Sequence, residues 1–208
     1  MSAPTCPHEL LPAPLAFTNL HRRNGFVSRF VAWEGGDRYR EMPYRRGIRD
    51  EVLVLVAAAE GGASAAEAAH WLDAQPRAFR GYWDTSADAP AAVVARLRLS
   101  DSDTDALTDP LGAAAQQYAQ AHRPLRPQER LSLGRVYAPT SGHRAASALM
   151  DLMIHRVLAT FMLRTPAWSF VALTSGSFLD PLMRYLDQRP VRPPVTVDET
   201  SFTLYPHD

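Results

Sequence analysis

The sequence predicts an α/β or α+β domain, because segments typical of strands and of helices alternate along the chain from residue 51 onward. Three segments support this prediction most strongly. Residues 51–58 form a run rich in valine and leucine, which is typical of a strand buried on both faces. Residues 92–100 alternate between two faces, as a half-buried strand does. Residues 145–164 are apolar apart from a narrow polar stripe, as in a helix packed against a sheet.

Residues 1–50 have the least regular pattern. Four prolines interrupt the first fourteen residues, and eight arginines alternate with five aromatic residues between residues 22 and 49. Arginine beside aromatic residues can bind nucleic acid through phosphate contacts and base stacking. Alternatively, the aromatic rings pack on the core and the arginine stems cover them. Because acidic residues dilute the charge, we expect residues 1–50 to be an irregular extension packed on a domain formed by residues 51–208.

The first half of this domain is predicted to contain three strands and one helix. After the strand Glu51–Ala58, glycines 61 and 62 turn the chain, and Ser64-Ala65-Ala66-Glu67 is a capping box for a helix that reaches about residue 74. Phe79–Trp83 is a further predicted strand. The alternating segment Ala92–Ser100 is the third, with the side chains of Val93, Ala95, Leu97 and Leu99 on one face.

The second half begins with Asp109-Pro110, an N-cap residue followed by proline at the first helical position, which predicts a helix to about His122. The remaining predicted elements are the strand Arg130–Ala138, the long helix 145–164, the strand Trp168–Thr174, a short helix Phe178–Gln188 capped by Ser177, and two extended segments, Val195–Val197 and Ser201–Tyr205.

The composition excludes several classes of function. The formal net charge is zero, so no overall charge favours nucleic acid or an anionic membrane surface. All 22 basic residues are arginine, which excludes a Schiff-base lysine and a Walker-type phosphate lysine. Cys6 is the only cysteine, and no Cys/His cluster has metal-ligand spacing, so we expect no metal. Without an apolar run of roughly 18 residues or a secretory signal, we expect no membrane partner and a cytoplasmic location.

The loop Pro139–Arg144 is the most specific chemical suggestion in the chain. It carries small residues and two potential cations, His143 and Arg144, where the long helix is predicted to begin. A helix N-terminus exposes unpaired N–H groups and positive dipole, so it is a natural seat for an anion such as a phosphate. The sequence therefore predicts a phosphate-binding loop between a buried strand and a long helix.

This order of elements resembles the GNAT acyltransferase superfamily. Within it, the chain is most similar to the acyl-homoserine lactone synthase and N-acyl amino acid synthase branch, through Gly134-Arg135-Val136-Tyr137-Ala138 and the earlier strand Ala95-Arg96-Leu97-Arg98-Leu99. The resemblance implies a mixed, mostly antiparallel central sheet flanked by helices. It also implies transfer of an acyl group from acetyl-CoA, a longer acyl-CoA or an acyl carrier protein to the amine of a small molecule.

The resemblance also implies which residues hold the donor. The backbone of Val136 and Tyr137 would pair with the pantetheine arm. The family writes its pyrophosphate loop Q/R-x-x-G-x-G/A. In this chain Ser141 takes the Gln/Arg position, Arg144 the first glycine position and Ala146 the last, so the donor-binding loop would comprise Ser141, Gly142, His143, Arg144 and Ala146. An arginine at a glycine position can contact phosphate by its side chain instead.

Two residues are candidates for proton transfer. Tyr185 lies where the family places a tyrosine that protonates the departing sulfur; the alternative is a half-buried helical tyrosine beside Leu182 and Leu186. Glu129 is the acidic residue nearest in sequence for deprotonating the amine, and the alternative is a surface residue before a strand.

Three arginines are candidates for substrate binding. Arg96, Arg98 and Arg135 would line one cleft and receive a carboxylate or phosphate; arginine at alternate strand positions is equally typical of a solvent-facing strand. Because the glycine pattern of the loop is degraded, a GNAT-like binding or scaffold domain without catalysis is the alternative function. Nucleic-acid binding through residues 22–49 is the third alternative, and the sequence does not indicate the oligomeric state.

Overall fold

The computed structural model describes residues 36–101, 108–138, 145–153, 156 and 166–207. Within these residues the strands are β1 (Tyr39–Pro43), β2 (Phe79–Asp84), β3 (Ala89–Leu99), β4 (Leu131–Tyr137), β5 (Trp168–Thr174), β6 (Val195–Val197) and β7 (Thr200–His207). The helices are α1 (Arg49–Glu60), α2 (Gly62–Ala74), α3 (Pro110–His122) and α4 (Asp180–Tyr185). Residues 148–153 are helical as well.

The described strands form one sheet in the order β1-β2-β3-β4-β5-β7-β6. All neighbouring strands run antiparallel except β4 and β5, which are parallel. A parallel pair needs a crossover connection, and here the crossover carries the helical residues 148–153. The structure therefore confirms the expected mixed, mostly antiparallel sheet flanked by helices.

The sheet buries a hydrophobic cluster on each face. The first face packs against α1, α2 and α3, and its cluster includes Val56, Trp71, Leu97, Leu133 and Phe170. The second face packs against the helical residues 148–153, and its cluster includes Tyr82, Val94, Val136, Met150 and Leu173. Since successive strand residues point to opposite faces, the register of each strand decides which helices its side chains meet.

Residues 51–58 were predicted to be a buried strand, and this prediction is wrong. They lie in α1, where Val52, Val56 and Glu60 are buried at steps of four residues while Val54 is 69% exposed. This is the periodicity of a helix with one buried stripe, so the apolar run does not have two buried faces. The boundary expected between residues 50 and 51 falls inside the same helix, and β1 adds residues 39–43 to the sheet.

The start of α2 also differs from the prediction. Ser64 is not an N-cap but a buried residue within the helix, which begins at Gly62. The cap comes from the turn between β6 and β7, where Asp198 Oδ2 accepts from the Ala63 N–H at 2.8 Å. Gly61 joins α1 to α2 with a φ of 100°, a conformation that other residues rarely adopt.

The predicted start of α3 is confirmed. Asp109 Oδ1 accepts from the backbone N–H groups of Leu111 and Gly112, and Pro110 is the first helical residue. The other carboxylate oxygen accepts from Trp71 Nε1 at 2.9 Å, which ties the start of α3 to α2. The strands predicted at 168–174 and 195–197 have the expected bounds, while the helix predicted at 178–188 is shorter, Asp180–Tyr185.

In the part of the chain that the structure describes, no helix has the length and apolar character needed to cross a membrane.

Candidate active site

The parallel strands β4 and β5 part before either of them ends. Their pairing runs from Leu131 opposite Trp168 to Arg135 opposite Ala172 and stops there. Val136 and Tyr137 continue to pair with β3, and Leu173 and Thr174 continue to pair with β7. Each strand therefore keeps its outer partner while an opening forms between the two central strands of the sheet, which we call the β4–β5 gap.

The predicted donor-binding residues fall into two groups. Val136 and Tyr137 border the β4–β5 gap, while Ser141, Gly142, His143 and Arg144 lie outside the described residues. Ala146 is half-buried just before the helical residues 148–153. Ser147 is the N-cap of that helical segment, because its Oγ accepts from the Met150 N–H at 3.2 Å. The helix thus begins three residues beyond the loop predicted to precede it.

A cleft of about 960 Å³ opens at the end of the sheet where β4 and β5 part. One wall is α1, represented by Asp50, Glu51 and Val54, and the other contains Ala146 and Leu149. The cleft joins the two faces of the sheet at this end, because α1 packs on the first face and Leu149 packs on the second.

Asp84 lines the cleft but its carboxylate is already occupied. Its Oδ2 accepts from Arg38 Nε at 2.9 Å and Nη2 at 2.6 Å, and its Oδ1 accepts from the Ser86 hydroxyl and N–H. The Arg38 guanidinium, with the donors of Ser86 and the Ala87 N–H, holds the pKa of Asp84 well below its usual range. Asp84 therefore closes the β2–β3 turn and does not supply a reactive carboxylate.

Arg135 is the last β4 residue paired with β5, and its side chain is buried on the first face of the sheet. Arg135 Nη2 donates to Glu60 Oε2 at 2.6 Å, and Nη1 donates to Glu67 Oε2 at 3.2 Å. Its guanidinium also lies over the rings of Tyr137 and Phe202, 5.0 and 5.2 Å from their centroids. One cation thus connects β4 to α1, α2 and β7 beside the β4–β5 gap.

Arg135, Glu60 and Glu67 together form what we call the buried ionic cluster. It contains two carboxylates and one guanidinium. Burial raises the pKa of Glu60 despite its contact with Arg135. Burial and the nearby Asp109 carboxylate raise the pKa of Glu67 to about 7, although Arg135 opposes this shift. Burial would lower the pKa of Arg135, but the surrounding acidic groups more than offset it. Arg135 therefore stays charged, and the pKa of Glu67 lies near neutral pH.

Two solved structures share this architecture. The C-terminal condensation domain of Ebony in complex with β-alanyl-dopamine has a TM-score of 0.52 and 13% sequence identity, over 81% of this chain and 98% of that one. FeeM, an N-acyl amino acid synthase from uncultured soil microbes, has a TM-score of 0.52 and 10% identity, over 81% of this chain and 88% of that one. The chain has the GNAT fold. No protein-family model matches the sequence, and no curated protein matches it at a significant level.

The three arginines predicted to line one cleft do not lie together on the GNAT sheet. Arg135 pairs with Ala95, which faces the first cluster, so Arg96 and Arg98 point to the opposite face. Arg96 Nε donates to Ser132 Oγ at 2.8 Å. Arg98 is exposed and lies opposite Ser132, near the start of β4, about 13 Å from the β4–β5 gap by the rise of the strand. The expectation of a shared substrate cleft is therefore corrected.

Glu129 lies at the end of the GNAT sheet remote from the β4–β5 gap. It precedes β4, whereas the gap opens at Val136, so about 20 Å of extended chain separates them. Its carboxylate accepts from the Arg126 N–H at 2.8 Å and from Arg123 Nη2 at 3.2 Å. These contacts fold the loop between α3 and β4, so this position does not support the base role that the sequence suggested.

Tyr185 lies in the last turn of α4 and is 45% exposed. Helix α4 follows β5 after a short turn, and Leu182 and Met183 pack against the second cluster. The helix therefore starts at the end of the sheet where β4 and β5 part, on the same face as residues 148–153. This position is compatible with Tyr185 protonating the leaving group, and the role of Tyr185 stays a prediction.

Sequence reasoning missed the residues of α1 that line the cleft, because this segment was interpreted as a buried strand. It also missed Glu60, whose acidic character in an alanine-rich helix gave no sign of burial. The signal that could have helped is Arg135 itself, since a charged residue in an otherwise apolar strand requires a buried partner. The described segments contain no group of three or more His, Cys, Asp or Glu arranged to hold a metal ion.

Proposed function

We propose that this protein is an N-acyltransferase that moves an acyl group from acetyl-CoA or a longer acyl-CoA to the amine of a small molecule. The observation that supports this most directly is the β4–β5 gap within a GNAT fold. An acyl carrier protein is a further possible donor, because its pantetheine arm has the same chemistry as that of coenzyme A.

The gap offers a seat for the pantetheine arm of the donor. Val136 and Tyr137 are extended but have no β5 partner among the described residues, so a ligand amide can pair with their backbone. The pyrophosphate would bind the loop residues Ser141, Gly142, His143 and Arg144 and the start of the following helix near Ala146. Donor binding of this kind combines an extended main-chain contact with a helix N-terminus that favours negative charge.

The reaction that follows is an acyl substitution at the thioester carbonyl. The neutral amine nitrogen attacks the carbonyl carbon, a C–N bond forms and the C–S bond breaks. The nitrogen loses one proton, and the thiolate of coenzyme A gains one. We propose Tyr185 as the donor of that second proton. Holding the two reactants together in the correct orientation supplies much of the rate enhancement in such a reaction.

The two similar structures agree with this class of reaction. One protein is named as an N-acyl amino acid synthase, and the other domain holds β-alanyl-dopamine, an amide of an amine. Their acceptors differ from each other, so they support an amine acceptor as a class and do not name the acceptor of this chain.

Donor binding is tested by thermal unfolding of the full chain with acetyl-CoA, octanoyl-CoA and free coenzyme A. A donor present at about 100 times its Kd stabilises the native state by about 2.7 kcal/mol. For a chain of this size, that is a rise in Tm of roughly 5–11 °C. Release of the coenzyme A thiol in the presence of a panel of amines then tests transfer. An unchanged Tm with every donor, including an acylated carrier protein, would refute the proposed function.

The second candidate is a GNAT-fold domain that binds a ligand without catalysis. It is favoured by the position of Glu129, which leaves the described part of the β4–β5 gap without the base predicted from sequence. This candidate predicts a donor-induced rise in Tm with no amine-dependent thiol release, whereas the proposed acyltransferase predicts both.

A further inference from the structure

The cleft beside α1 is separate from the strand edge that would hold the donor. Ala91 lines the cleft and lies two residues beyond Val93, the β3 partner of Tyr137. The cleft therefore lies beyond the end of β4, next to the start of β3. A molecule in the cleft would reach the end of the β4–β5 gap from the β3 side, whereas β5 lies on the other side of the gap. An acyl group that the donor carries through the gap would be exposed to attack at this point.

The surface of the cleft is predominantly apolar. Of the fourteen lining residues that the structure describes, nine are alanine, valine, leucine or proline, and Val54 is 69% exposed. A large exposed aliphatic side chain within a concave site indicates a surface that an apolar group covers. The volume of about 960 Å³ lies at the upper end of the range for small-molecule sites, so it suits a substantial apolar group.

The charged residues that line the described part of the cleft are acidic. They are Asp50, Glu51 and Asp84, and no arginine or histidine is among the lining residues that the structure describes. Arg38 neutralises Asp84. Asp50 and Glu51 are exposed in the first turn of α1 and make no ion pair within the described segments. The cleft thus offers two carboxylates to a ligand, which attract a cation and repel an anion.

We infer that this cleft binds the acceptor, and that the acceptor is a hydrophobic primary amine that lacks a carboxylate. This inference rests on the proposed acyltransferase function and narrows its substrate class. The apolar walls take the hydrocarbon part, and Asp50 and Glu51 attract the ammonium group. An amino acid would bring its own carboxylate beside these two residues, which would repel it.

A matched pair of acceptors tests the inference. Phenethylamine and phenylalanine share an aromatic side and an amine, and only phenylalanine has a carboxylate. With octanoyl-CoA as the donor, we expect kcat/KM for phenethylamine to exceed that for phenylalanine by at least about 10-fold. Ethylamine, which lacks the apolar group, should be at least about 10-fold poorer than phenethylamine. A preference for phenylalanine, or equal use of phenethylamine and phenylalanine, would overturn the inference.

Substitutions in the cleft test whether its residues cause the preference for phenethylamine. Asp50→Asn combined with Glu51→Gln should raise KM for phenethylamine about 10-fold and leave KM for octanoyl-CoA unchanged. Val54→Arg adds a cation to the wall and should shift the preference toward phenylalanine. Glu199→Gln, a carboxylate that does not line the cleft, is the matched control and should change neither constant. If the double variant behaves like this control, the cleft is not the acceptor site.

A binding measurement separates this inference from the proposed function. Saturation-transfer NMR detects phenethylamine on the full chain without any donor, and the Val54→Arg variant should abolish the signal. If no acyl transfer occurs with any acceptor but phenethylamine binds and Val54→Arg prevents it, catalysis is refuted while the amine site stands. If transfer occurs and phenethylamine does not bind the cleft, the function stands and this inference is overturned.

Discussion

Replacing Arg135 by methionine is the perturbation with the largest expected effect on stability. Methionine fills much of the space of the arginine stem but leaves Glu60 and Glu67 without their cation. The side chain of Glu60 is 2% exposed and that of Glu67 is 15% exposed, so water cannot replace the lost contacts. The variant therefore keeps the packing between β4 and α1 but breaks the buried ionic cluster.

The size of the expected loss in unfolding free energy follows from the burial of these charges. Removing one partner of a buried ion pair costs about 3–5 kcal/mol of unfolding free energy, because the remaining charge stays in the protein interior. The total unfolding free energy of a domain is only about 5–15 kcal/mol. In a chain of this size the loss corresponds to a fall in Tm of roughly 6–20 °C.

The loss of stability in Arg135→Met should also depend on pH. Without Arg135, the folded-state pKa values of Glu60 and Glu67 rise further above their unfolded values. A carboxyl group with a raised folded pKa stabilises the protein below its unfolded pKa, and this contribution is lost as pH rises through the folded pKa. The variant should therefore be closest to the wild type near pH 4 and increasingly less stable above it.

Urea unfolding monitored by the fluorescence of the buried Trp71 and Trp168 measures this loss. Arg98→Met is the matched control, since Arg98 is an exposed arginine on the neighbouring strand, and it should change the unfolding free energy by less than about 0.5 kcal/mol. Adding Glu60→Gln to Arg135→Met should recover part of the loss. A cost below about 1 kcal/mol at pH 7.5, or one equal to that of Arg98→Met, would refute the reasoning.

Three further predictions follow from single contacts. The unfolding free energy of the wild type should fall as pH rises from about 4.5 to about 7, because the contribution of Glu67 is lost over this range. Urea unfolding of Glu67→Gln should show a flatter dependence on pH, and an unchanged dependence would contradict this prediction. Asp198→Ala removes the cap of α2 and should cost about 1 kcal/mol or more, whereas Asp198→Asn keeps an acceptor and should cost less; equal losses would exclude the cap. Tyr185→Phe should lower kcat about 100-fold with KM for octanoyl-CoA unchanged, and an unchanged kcat would remove Tyr185 from the reaction.

Most strands could be predicted because their patterns are local. The β5 segment is mostly apolar and buried within the sheet, and β3 alternates between the two clusters, so period and composition were sufficient. The α1 segment failed for a physical reason. Its valines and leucines favour a strand, but the alanines that follow and the acidic first turn suit a helix, and the packing against β3 and β4 decides between them.

The contacts that the sequence could not predict join residues far apart along the chain. Asp198 caps α2 from 135 residues away, and Arg135 reaches Glu60 across 75 residues. Ser64-Glu67 has the spacing of a capping box, but the distant aspartate allows the helix to start earlier at Gly62. Glu129 was nominated for its nearness in sequence to the loop, whereas the extended strand between them carries it to the other end of the sheet.

The central claim is that an acyl-CoA donor binds in the β4–β5 gap. A crystal structure of the full chain grown with octanoyl-CoA tests it most directly. We predict that the pantetheine arm lies between β4 and β5, with its amides paired to the backbone of Val136 or Tyr137, and that the thioester points toward the cleft beside α1. A donor bound elsewhere, or a structure in which the gap stays empty at saturating donor, would contradict the account.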